Sequence, residues 1–77
     1  MYLHLGENIT ITTDKIIGIF DIDTSTVNKA TRDYLSLAEK NKKIIYVSYE
    51  LPKSFIVTAD KIYISPINTS TLLKRAK

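Results

Sequence analysis

Lysine side chains are the groups in this chain best suited to binding a charged partner. Lys40, Lys42 and Lys43 lie at the end of a predicted helix, Lys15 opens a predicted strand, and Lys53 lies in a loop. Ammonium groups arranged along a surface can neutralise the phosphates of nucleic acid. Lysines at a helix C-terminus also complement the helix dipole, which accounts for Lys40, Lys42 and Lys43 better than for the other two. Loop and strand-end positions are where binding residues tend to lie.

Two carboxylates and one histidine are further candidates for chemistry. Asp21 and Asp23 end a predicted strand, where alternation directs both side chains to one side, as Mg²⁺ binding or acid–base chemistry would require. They also directly precede a predicted helix, where negative charge favours the helix dipole, and this is the stronger interpretation. His4 is either a pH-sensitive group at an interface or a partly exposed strand side chain without a specific function. We therefore expect no metal site.

Groups required for catalysis are missing from the sequence. No serine or threonine has a general base at a recognisable spacing, and Gly6 and Gly18 alone cannot form a glycine-rich phosphate cradle. The chain has no cysteine, which excludes a disulfide framework and a thiolate metal site. The sequence thus predicts a protein that is not an enzyme, with no catalytic residues, no cofactor and no small-molecule substrate.

Charge is distributed unevenly along the chain. The net charge is +3, but residues 1–38 sum to −2 and residues 39–77 sum to +5. A basic second half permits a face for an anionic partner such as double-stranded DNA, although the net charge is too small to require one. Lys74, Arg75 and Lys77 near the C-terminus can complement a helix dipole, contact phosphate or remain solvated.

The chain is short for an independent domain. Its 77 residues predict one domain, which buries only about 60–65% of the surface that the unfolded chain exposes. Self-association is the remaining source of stability, because disulfides and metal staples are excluded. No basic segment precedes a long apolar stretch at the N-terminus, which predicts no signal peptide, no membrane span and a cytoplasmic location.

Hydrophobic alternation predicts six short strands and two helices in the order βββ-α-βββ-α. The predicted strands are residues 2–5, 9–12, 15–22, 44–48, 55–58 and 62–65. Turn residues at 6–8 and 59–61 predict hairpins, and the third strand, apolar on both faces, is predicted to be central. The order implies an α+β domain with an antiparallel or mixed sheet, whose free edges can extend the sheet between subunits or close a ring.

The long helix is predicted over residues 25–41, with Thr24 or Ser25 as its cap and Asn41 at its end. Its predicted apolar face consists of Val27, Ala30, Tyr34, Leu37 and Ala38. A short C-terminal helix is predicted to start at Asn68 or Thr69. Its apolar residues are Leu72, Leu73 and Ala76.

Large apolar side chains surround the loop that carries Lys53. Tyr46 and Tyr49 would face opposite sides of a strand, so one is predicted to pack in the core and the other to face a partner subunit. Tyr49, Leu51 and Phe55 are the predicted contacts with another subunit or a partner protein.

Four segments of the chain resemble the RemA/RemB-like family of bacterial extracellular-matrix (biofilm) regulators, and most closely its RemB-like branch. These segments are residues 1–8 (MYLHLGEN), 15–20 (KIIGIF), 51–57 (LPKSFIV) and 62–67 (IYISPI). The resemblance extends over essentially the whole chain. These segments are features of the whole family and not a catalytic signature, so they identify the family better than an activity.

The resemblance implies a cytoplasmic, non-enzymatic homo-oligomer that forms a ring and binds DNA through basic residues repeated around it. Lys15 matches the basic residue that opens the corresponding strand in RemA-like members. The arginine pair of those members falls here on Leu51 and Pro52, and Lys53 is a partial substitute without the arginine fork.

Two functions follow as hypotheses. In the first, the protein is a DNA-binding regulator of matrix genes in which Lys15, Lys53, Lys42 and Lys43 contact DNA. In the second, it is a ring-forming scaffold or adaptor without DNA affinity, which acts through protein partners.

Overall fold

The computed structural model describes residues 2–6, 9–25 and 27–75. Its strands are β1 (Tyr2–Gly6), β2 (Ile9–Thr12), β3 (Ile16–Asp21), β4 (Ile44–Tyr46), β5 (Ser54–Thr58) and β6 (Ile62–Ser65). Its helices are α1 (Ile22–Ser25), α2 (Lys29–Lys40) and α3 (Thr69–Arg75), and a 3₁₀ turn at Thr13–Lys15 leads into β3.

The strands form two sheets. β1 and β2 pair as an antiparallel hairpin, and the other four form a sheet in the order β3-β5-β6-β4. In the larger sheet β5 is antiparallel to both neighbours, whereas β4 runs parallel to β6. The predicted α+β class, the six strands and both hairpins are confirmed. Glu7 and Asn8 of the first predicted turn lie outside the described residues.

Two apolar clusters cover the two faces of the larger sheet. On one face, the hairpin and α3 pack over the sheet. The buried residues of this cluster are Leu3, Leu5, Val47, Ile56 and Leu72. On the other face, α2 contributes Ala38. The buried sheet residues of this second cluster are Phe55, Val57, Ile62 and Ile64. Alternation along β5 explains the division, because Phe55 and Val57 point to one side and Ile56 to the other.

Two buried serines of the larger sheet bond backbone outside it, one in the hairpin and one in the segment after β6. The Ser65 hydroxyl donates a hydrogen bond to the carbonyl of Leu5 in β1, and the Ser54 hydroxyl donates to the carbonyl of Ile67. Both serines have no exposed surface. Gly6 ends β1 with a φ of 132°, and a Cβ at this position would lie 3.1 Å from Val47 Cγ1, so the close approach of the hairpin requires glycine.

The prediction that the third strand is central was wrong, because β3 is an outer strand of its sheet. Its inward side packs through Ile16 and Ile19 on the first cluster. Ile17, in contrast, is 70% exposed. The apolar residues on both faces of β3 are therefore not explained by a central position in the sheet. One face of the strand is buried, and the other leaves Ile17 exposed to solvent.

The start of the long helix also differs from the prediction. The chain forms the short helix α1 first, and α2 begins after Asn28, whose Oδ1 accepts a hydrogen bond from the N–H of Ala30 at 2.8 Å. Asn28, rather than Thr24 or Ser25, is therefore the N-cap of α2. Asn41 is its C-cap, as predicted.

Most of the apolar face predicted for the long helix over residues 25–41 is exposed. Ala38 is buried, but Val27, Tyr34 and Leu37 are not, and the half-buried Leu35 supplies the second contact with the sheet. The helix thus touches the sheet along a narrow line, which leaves an apolar stripe open to solvent.

At the C-terminal end, Asn68 caps α3 as predicted, because its Oδ1 accepts from the N–H of Thr71 at 2.9 Å. Leu72 is buried, whereas Leu73 is exposed. Ala76 and Lys77 lie outside the described residues. No helix within the described part of the chain is long and apolar enough to cross a membrane.

Candidate nucleic-acid interface

Three lysines stand at the same end of the larger sheet. Lys15, Lys43 and Lys61 each immediately precede the first residue of a strand, β3, β4 and β6 respectively. These three strands run in the same direction, since β3 and β6 are both antiparallel to β5 and β4 is parallel to β6. The first residues of these three strands therefore lie at the same end of the sheet. We call Lys15, Lys43 and Lys61 the lysine row.

The strand order sets the spacing within the lysine row. Neighbouring strands lie about 4.8 Å apart, so the starts of β3 and β4 are separated by about 14 Å across the sheet. Lys15 and Lys61 line one groove of the surface, and Lys43 and Lys61 line the next. Lys61 therefore stands between the other two and lines both grooves, the first on the side of the hairpin and the second on the side of α2.

Hydrogen bonds in the turn between β5 and β6 fix the backbone of Lys61. The N–H of Thr58 donates to the carbonyl of Lys61 at 2.9 Å, and the N–H of Lys61 donates to Thr58 Oγ1 at 3.1 Å. At the start of β4, the carbonyl of Lys43 accepts a hydrogen bond from the N–H of Ile62 at 2.9 Å. The backbone groups of Lys43 and Lys61 are thus paired. The side chains of Lys15 and Lys43 are exposed, and that of Lys61 is half-buried.

The C-terminus of α2 adds Lys40 and Lys42 to this end of the molecule. Lys42 has a φ of 59°, and it follows the C-cap Asn41. Glycine is favoured at this left-handed position because a Cβ is strained there. A lysine held where glycine fits better is the kind of local strain that accompanies functional positions.

Carboxylates do not cancel the positive charge of this end. Asp14 and Asp60 lie in its turns, and Asp60 Oδ1 lies 3.4 Å from the Thr58 hydroxyl, which donates to the carbonyl of Lys61 at 2.9 Å. Within the described residues, none of the five lysines at this end forms an ion pair, and the ion pair that is present joins Lys29 and Asp33. The ammonium groups of the lysine row are accordingly available to an external anion.

The groove between Lys15 and Lys61 has polar and aromatic walls. Its remaining lining residues are Tyr2, Thr10, Ile11, Thr12, Thr58, Asp60 and Tyr63. The Thr12 hydroxyl is buried there and has no hydrogen-bond partner in the described part of the chain. A groove of this type offers hydroxyl donors beside two ammonium groups, which suits a phosphate oxygen.

Lys53 is not part of this interface. Its carbonyl accepts a hydrogen bond from the N–H of Ile22, just beyond the end of β3, and its N–H donates to the carbonyl of Ser65 at the end of β6. Lys15 stands at the other end of β3, so the length of a six-residue strand separates the two backbones, about 20 Å. Of the four lysines predicted to contact DNA, the structure brings Lys15, Lys42 and Lys43 to one end and places Lys53 at the other.

Lys61 was missed at the level of sequence, where it was interpreted only as a turn residue. A repeated dipeptide could have revealed it. Lysine followed by isoleucine occurs at the start of three strands, at residues 15–16, 43–44 and 61–62. Recognising the shared role of these dipeptides requires the strand directions, which depend on the topology of the sheet.

Asp21, one member of the predicted carboxylate pair, caps a helix. Asp21 Oδ1 accepts hydrogen bonds from the N–H groups of Asp23 and Thr24, at 2.8 and 3.3 Å, and so satisfies donors at the start of α1. No cluster of three metal-ligating side chains occurs within residues 2–6, 9–25 and 27–75. The exposed His4 contacts Thr10 Oγ1 across the hairpin through Nδ1 at 3.3 Å.

Tyr46 interacts with α2 through Glu39. The Tyr46 hydroxyl donates to Glu39 Oε2 at 3.1 Å. Partial burial raises the pKa of Tyr46 above its ordinary value, and the hydrogen bond to the Glu39 carboxylate and its negative charge raise it further. The prediction that Tyr46 or Tyr49 packs in the core was wrong, since both are exposed and Val47 fills that place.

The predicted partner contacts divide between surface and core. Tyr49 is fully exposed and Leu51 is 80% exposed, whereas Phe55 is 2% exposed and stacks on Phe20 with ring centroids 5.2 Å apart. Phe55 therefore does not protrude from the surface, but it lines a groove together with Ile17 and Phe20. We call Tyr49 and Leu51 the exposed tip.

A small α+β domain with a basic edge and an uncovered apolar side has the features of a binding module. The model of the family described as "RemA-like: Extracellular matrix regulatory protein A-like" matches residues 2–76. Over 77 residues the chain is 36% identical to "Extracellular matrix regulatory protein B" of Bacillus subtilis (strain 168), and the alignment covers 100% of this chain and 91% of that protein. The chain belongs to the RemA-like family, as its sequence segments predicted.

Proposed function

We propose that this protein regulates the expression of extracellular-matrix genes in the cytoplasm by binding double-stranded DNA as a homo-oligomeric ring, without enzymatic activity. The observation that carries the proposal is the lysine row. Lys15, Lys43 and Lys61 precede three strands that run in the same direction, so they lie at the same end of the sheet. Similarity to a protein described as an extracellular matrix regulatory protein supports regulation of the extracellular matrix as the biological process.

Repetition of the subunit explains how a weakly basic chain can bind DNA. Each copy offers a few ammonium groups, and the net charge of one chain is only +3. Several copies in a closed ring repeat the lysine row at regular intervals, so that weak phosphate contacts add along one curved duplex. Affinity in such an assembly depends on phosphate neutralisation and falls as salt rises.

Leu51 and Pro52 stand where the resemblance places an arginine pair. In this structure they belong to the loop at the end of the sheet opposite to the lysine row, and Glu50, Asp21 and Asp23 give that end a mixed charge. The proposal therefore assigns DNA contact to the lysine row rather than to this loop.

The proposal is tested by measuring DNA binding and assembly in one sample. Fluorescence anisotropy with a labelled A/T-rich duplex of promoter length is recorded at several salt concentrations, and light scattering follows on the same material. We expect an oligomer whose affinity falls steeply with salt. An intact oligomer that does not bind the duplex at low salt would refute DNA binding, and a monomer would refute the ring.

An adaptor function is the second candidate, and the exposed tip favours it. Tyr49 and Leu51 are more exposed than any other large apolar side chain in the described residues. Tyrosine with its whole ring in solvent is a common anchor of protein interfaces. An oligomer without DNA affinity, together with a protein partner that no longer binds the Tyr49→Ala variant, would support the adaptor.

A further inference from the structure

The groove between Lys15 and Lys61 has the size of a small-molecule site. Its volume is about 350 Å³, within the range of about 300–1,000 Å³ that such sites span. We call it the hairpin groove, because the hairpin contributes Tyr2 and Thr12 to its walls and the larger sheet contributes Tyr63. A groove of this size receives one phosphate group and one ring, but it cannot enclose a duplex.

Lys61 is partly withdrawn from solvent in this groove without a carboxylate partner. It is half-buried, whereas Lys15 is exposed. Side chains two residues apart on a strand share a face, so Lys61 lies on the same side of the sheet as Tyr63, which packs on the cluster beneath the hairpin. Burial of an ammonium group removes part of its hydration, and in the part of the chain that the structure describes no ion pair compensates for this loss. An anion in the groove supplies the missing partner.

Thr12 provides a second polar group without a partner. Its hydroxyl oxygen is buried and has no hydrogen bond within the described residues. Thr12 is also the N-cap of the 3₁₀ turn at Thr13–Lys15, yet its side chain makes no capping hydrogen bond. Buried hydroxyl groups in folded proteins are nearly always paired, and one without a protein partner indicates a bound water or ion. A phosphate oxygen in the groove completes this bond, either directly or through one water.

The charges of the hairpin groove favour an anion of low charge. The ammonium groups of Lys15 and Lys61 and the carboxylate of Asp60 are its charged lining groups, so together they carry a charge of +1. A phosphate monoester has a charge of about −1.5 to −2 at pH 7. It is matched to this groove better than a triphosphate, whose additional charges would be repelled by Asp60.

Two tyrosines give the hairpin groove its aromatic walls. Tyr2 is 72% exposed, and Tyr63 is half-buried. A nucleic-acid base packs well on an exposed aromatic ring, and this contact tolerates any base because each base has a π-face. Tyrosine rings beside ammonium groups therefore suit a molecule that joins a flat ring to a phosphate.

We propose that the hairpin groove binds a nucleoside monophosphate. The phosphate contacts Lys15, Lys61 and the Thr12 hydroxyl, and the base packs on Tyr2. The bound nucleotide also regulates DNA binding, because it occupies two members of the lysine row. This regulation, unlike the binding itself, rests on the proposed function. Nucleotide and duplex then compete, and each lowers the affinity for the other by the same factor.

Isothermal titration calorimetry tests the site on the wild-type chain without DNA. The ligands are adenosine monophosphate, ribose phosphate and inorganic phosphate, at constant ionic strength. We expect saturable binding of the nucleotide, with an affinity roughly tenfold above that of ribose phosphate, because the base packs on an aromatic ring. No binding of the nucleotide at millimolar concentration would overturn the site. Equal affinities for the three ligands would overturn its assignment to a nucleotide.

Four variants locate the site within the chain. Lys61→Ala should lower the affinity for adenosine monophosphate by roughly tenfold, and Thr12→Val, which removes the hydroxyl and keeps the shape of the side chain, by roughly fivefold. Asp60→Asn should raise the affinity, a gain that partial unfolding cannot produce. Lys53→Ala is the matched control, because it removes an equal charge at the other end of β3. Equal losses in Lys53→Ala and Lys61→Ala would overturn the groove as the site.

A competition measurement separates the inference from the proposed function. Adenosine monophosphate is added to the complex with the labelled duplex at constant ionic strength, with adenosine as the control that lacks a phosphate. We expect the nucleotide, but not adenosine, to displace the duplex. Nucleotide binding without displacement would overturn the regulation. A chain that binds the nucleotide but no duplex would refute the proposed DNA binding and leave the site in place, whereas a chain that binds the duplex but no nucleotide would overturn this inference alone.

Discussion

Lys15 and Lys61 line the same groove, and each immediately precedes a strand of the same direction, β3 and β6, on either side of β5. The strand spacing places the two backbones about 10 Å apart. This relationship depends on topology, since the residues are distant in sequence, and it makes Lys61 a DNA-contact candidate equal to Lys15.

The first prediction concerns DNA affinity. Lys15→Ala and Lys61→Ala should each weaken binding, because each removes an ammonium group that neutralises phosphate. The slope of log affinity against log salt should become shallower by about 0.9 for each phosphate that is no longer neutralised. Repetition of the change in each subunit of a ring enlarges both effects. Fluorescence anisotropy at several salt concentrations measures them.

Lys53→Ala is the matched control, because it removes the same charge at the other end of β3. We expect its affinity and salt dependence to stay close to those of the wild type. Equal losses of affinity in Lys53→Ala and Lys15→Ala would show that net charge, rather than the lysine row, governs binding.

The second prediction concerns Lys42, which has a φ of 59° after the C-cap of α2. Lys42→Gly relieves the strain at this left-handed position and should raise the free energy of unfolding by about 0.5–1 kcal/mol. It also removes one ammonium group, so DNA affinity should fall. Urea denaturation and anisotropy measure the two quantities.

Lys40→Ala is the control for Lys42→Gly, because it removes a neighbouring charge from helical backbone. We expect it to lower affinity without any gain in stability. If Lys42→Gly gains stability and retains full affinity, then Lys42 does not contact DNA and its strain has no functional role.

Local patterns in the sequence were sufficient to predict the strands. The bounds of β2 and β6 match the predicted residues 9–12 and 62–65, because alternation and flanking turns are local properties. The position of β3 was not predictable in this way. Its apolar residues on both faces resemble those of a central strand, and only the strand order shows that one face is uncovered.

The binding residues were predictable only in part. Lys15 and Lys43 could be predicted as binding candidates because they lie beside predicted elements. Their proximity to Lys61 depends on the strand directions, which the sequence does not show. The amphipathic pattern of the long helix predicts one apolar face, and on that face Ala38 is buried while Tyr34 and Leu37 are exposed. A hydrophobic stripe is the same in sequence whether it packs on its own core or on a neighbouring copy.

The third prediction tests the contact of Gly18 with the Phe20 ring, which stacks on Phe55. In Gly18→Ala, the new Cβ would approach Phe20 Cε2 to 2.6 Å, so the ring must move away from Phe55. We expect a loss of about 1–3 kcal/mol in the free energy of unfolding, as for other overpacked positions. Denaturant titration measures it.

A double-mutant cycle with Phe20→Ala identifies the cause. Once the ring is absent, Gly18→Ala should cost much less, so the two changes should be non-additive by about 0.5–3 kcal/mol. Additive effects would mean that the cost of Gly18→Ala comes from the backbone of β3 and not from the Phe20 ring.

The fourth prediction concerns the titration of Tyr46, whose pKa is raised by partial burial and by its hydrogen bond to the Glu39 carboxylate. The protonated phenol is favoured in the folded chain. Its contribution to stability is therefore fully present below the unfolded value of 10.0 and is lost as pH rises through the higher folded value. Glu39→Gln removes the negative charge and should lower the pKa of Tyr46.

NMR of tyrosine labelled at Cζ follows this ionisation directly, and Tyr46→Phe assigns the signal among the five tyrosines. Glu50→Gln is the control, since it removes a carboxylate that has no contact with Tyr46 in the structure, and it should leave the pKa of Tyr46 unchanged. The charge of Glu39 acts over the short distance of a hydrogen bond, whereas that of a distant surface carboxylate is screened by solvent. Equal shifts in the two variants would mean that the overall charge of the protein, rather than the link between β4 and α2, sets the pKa of Tyr46.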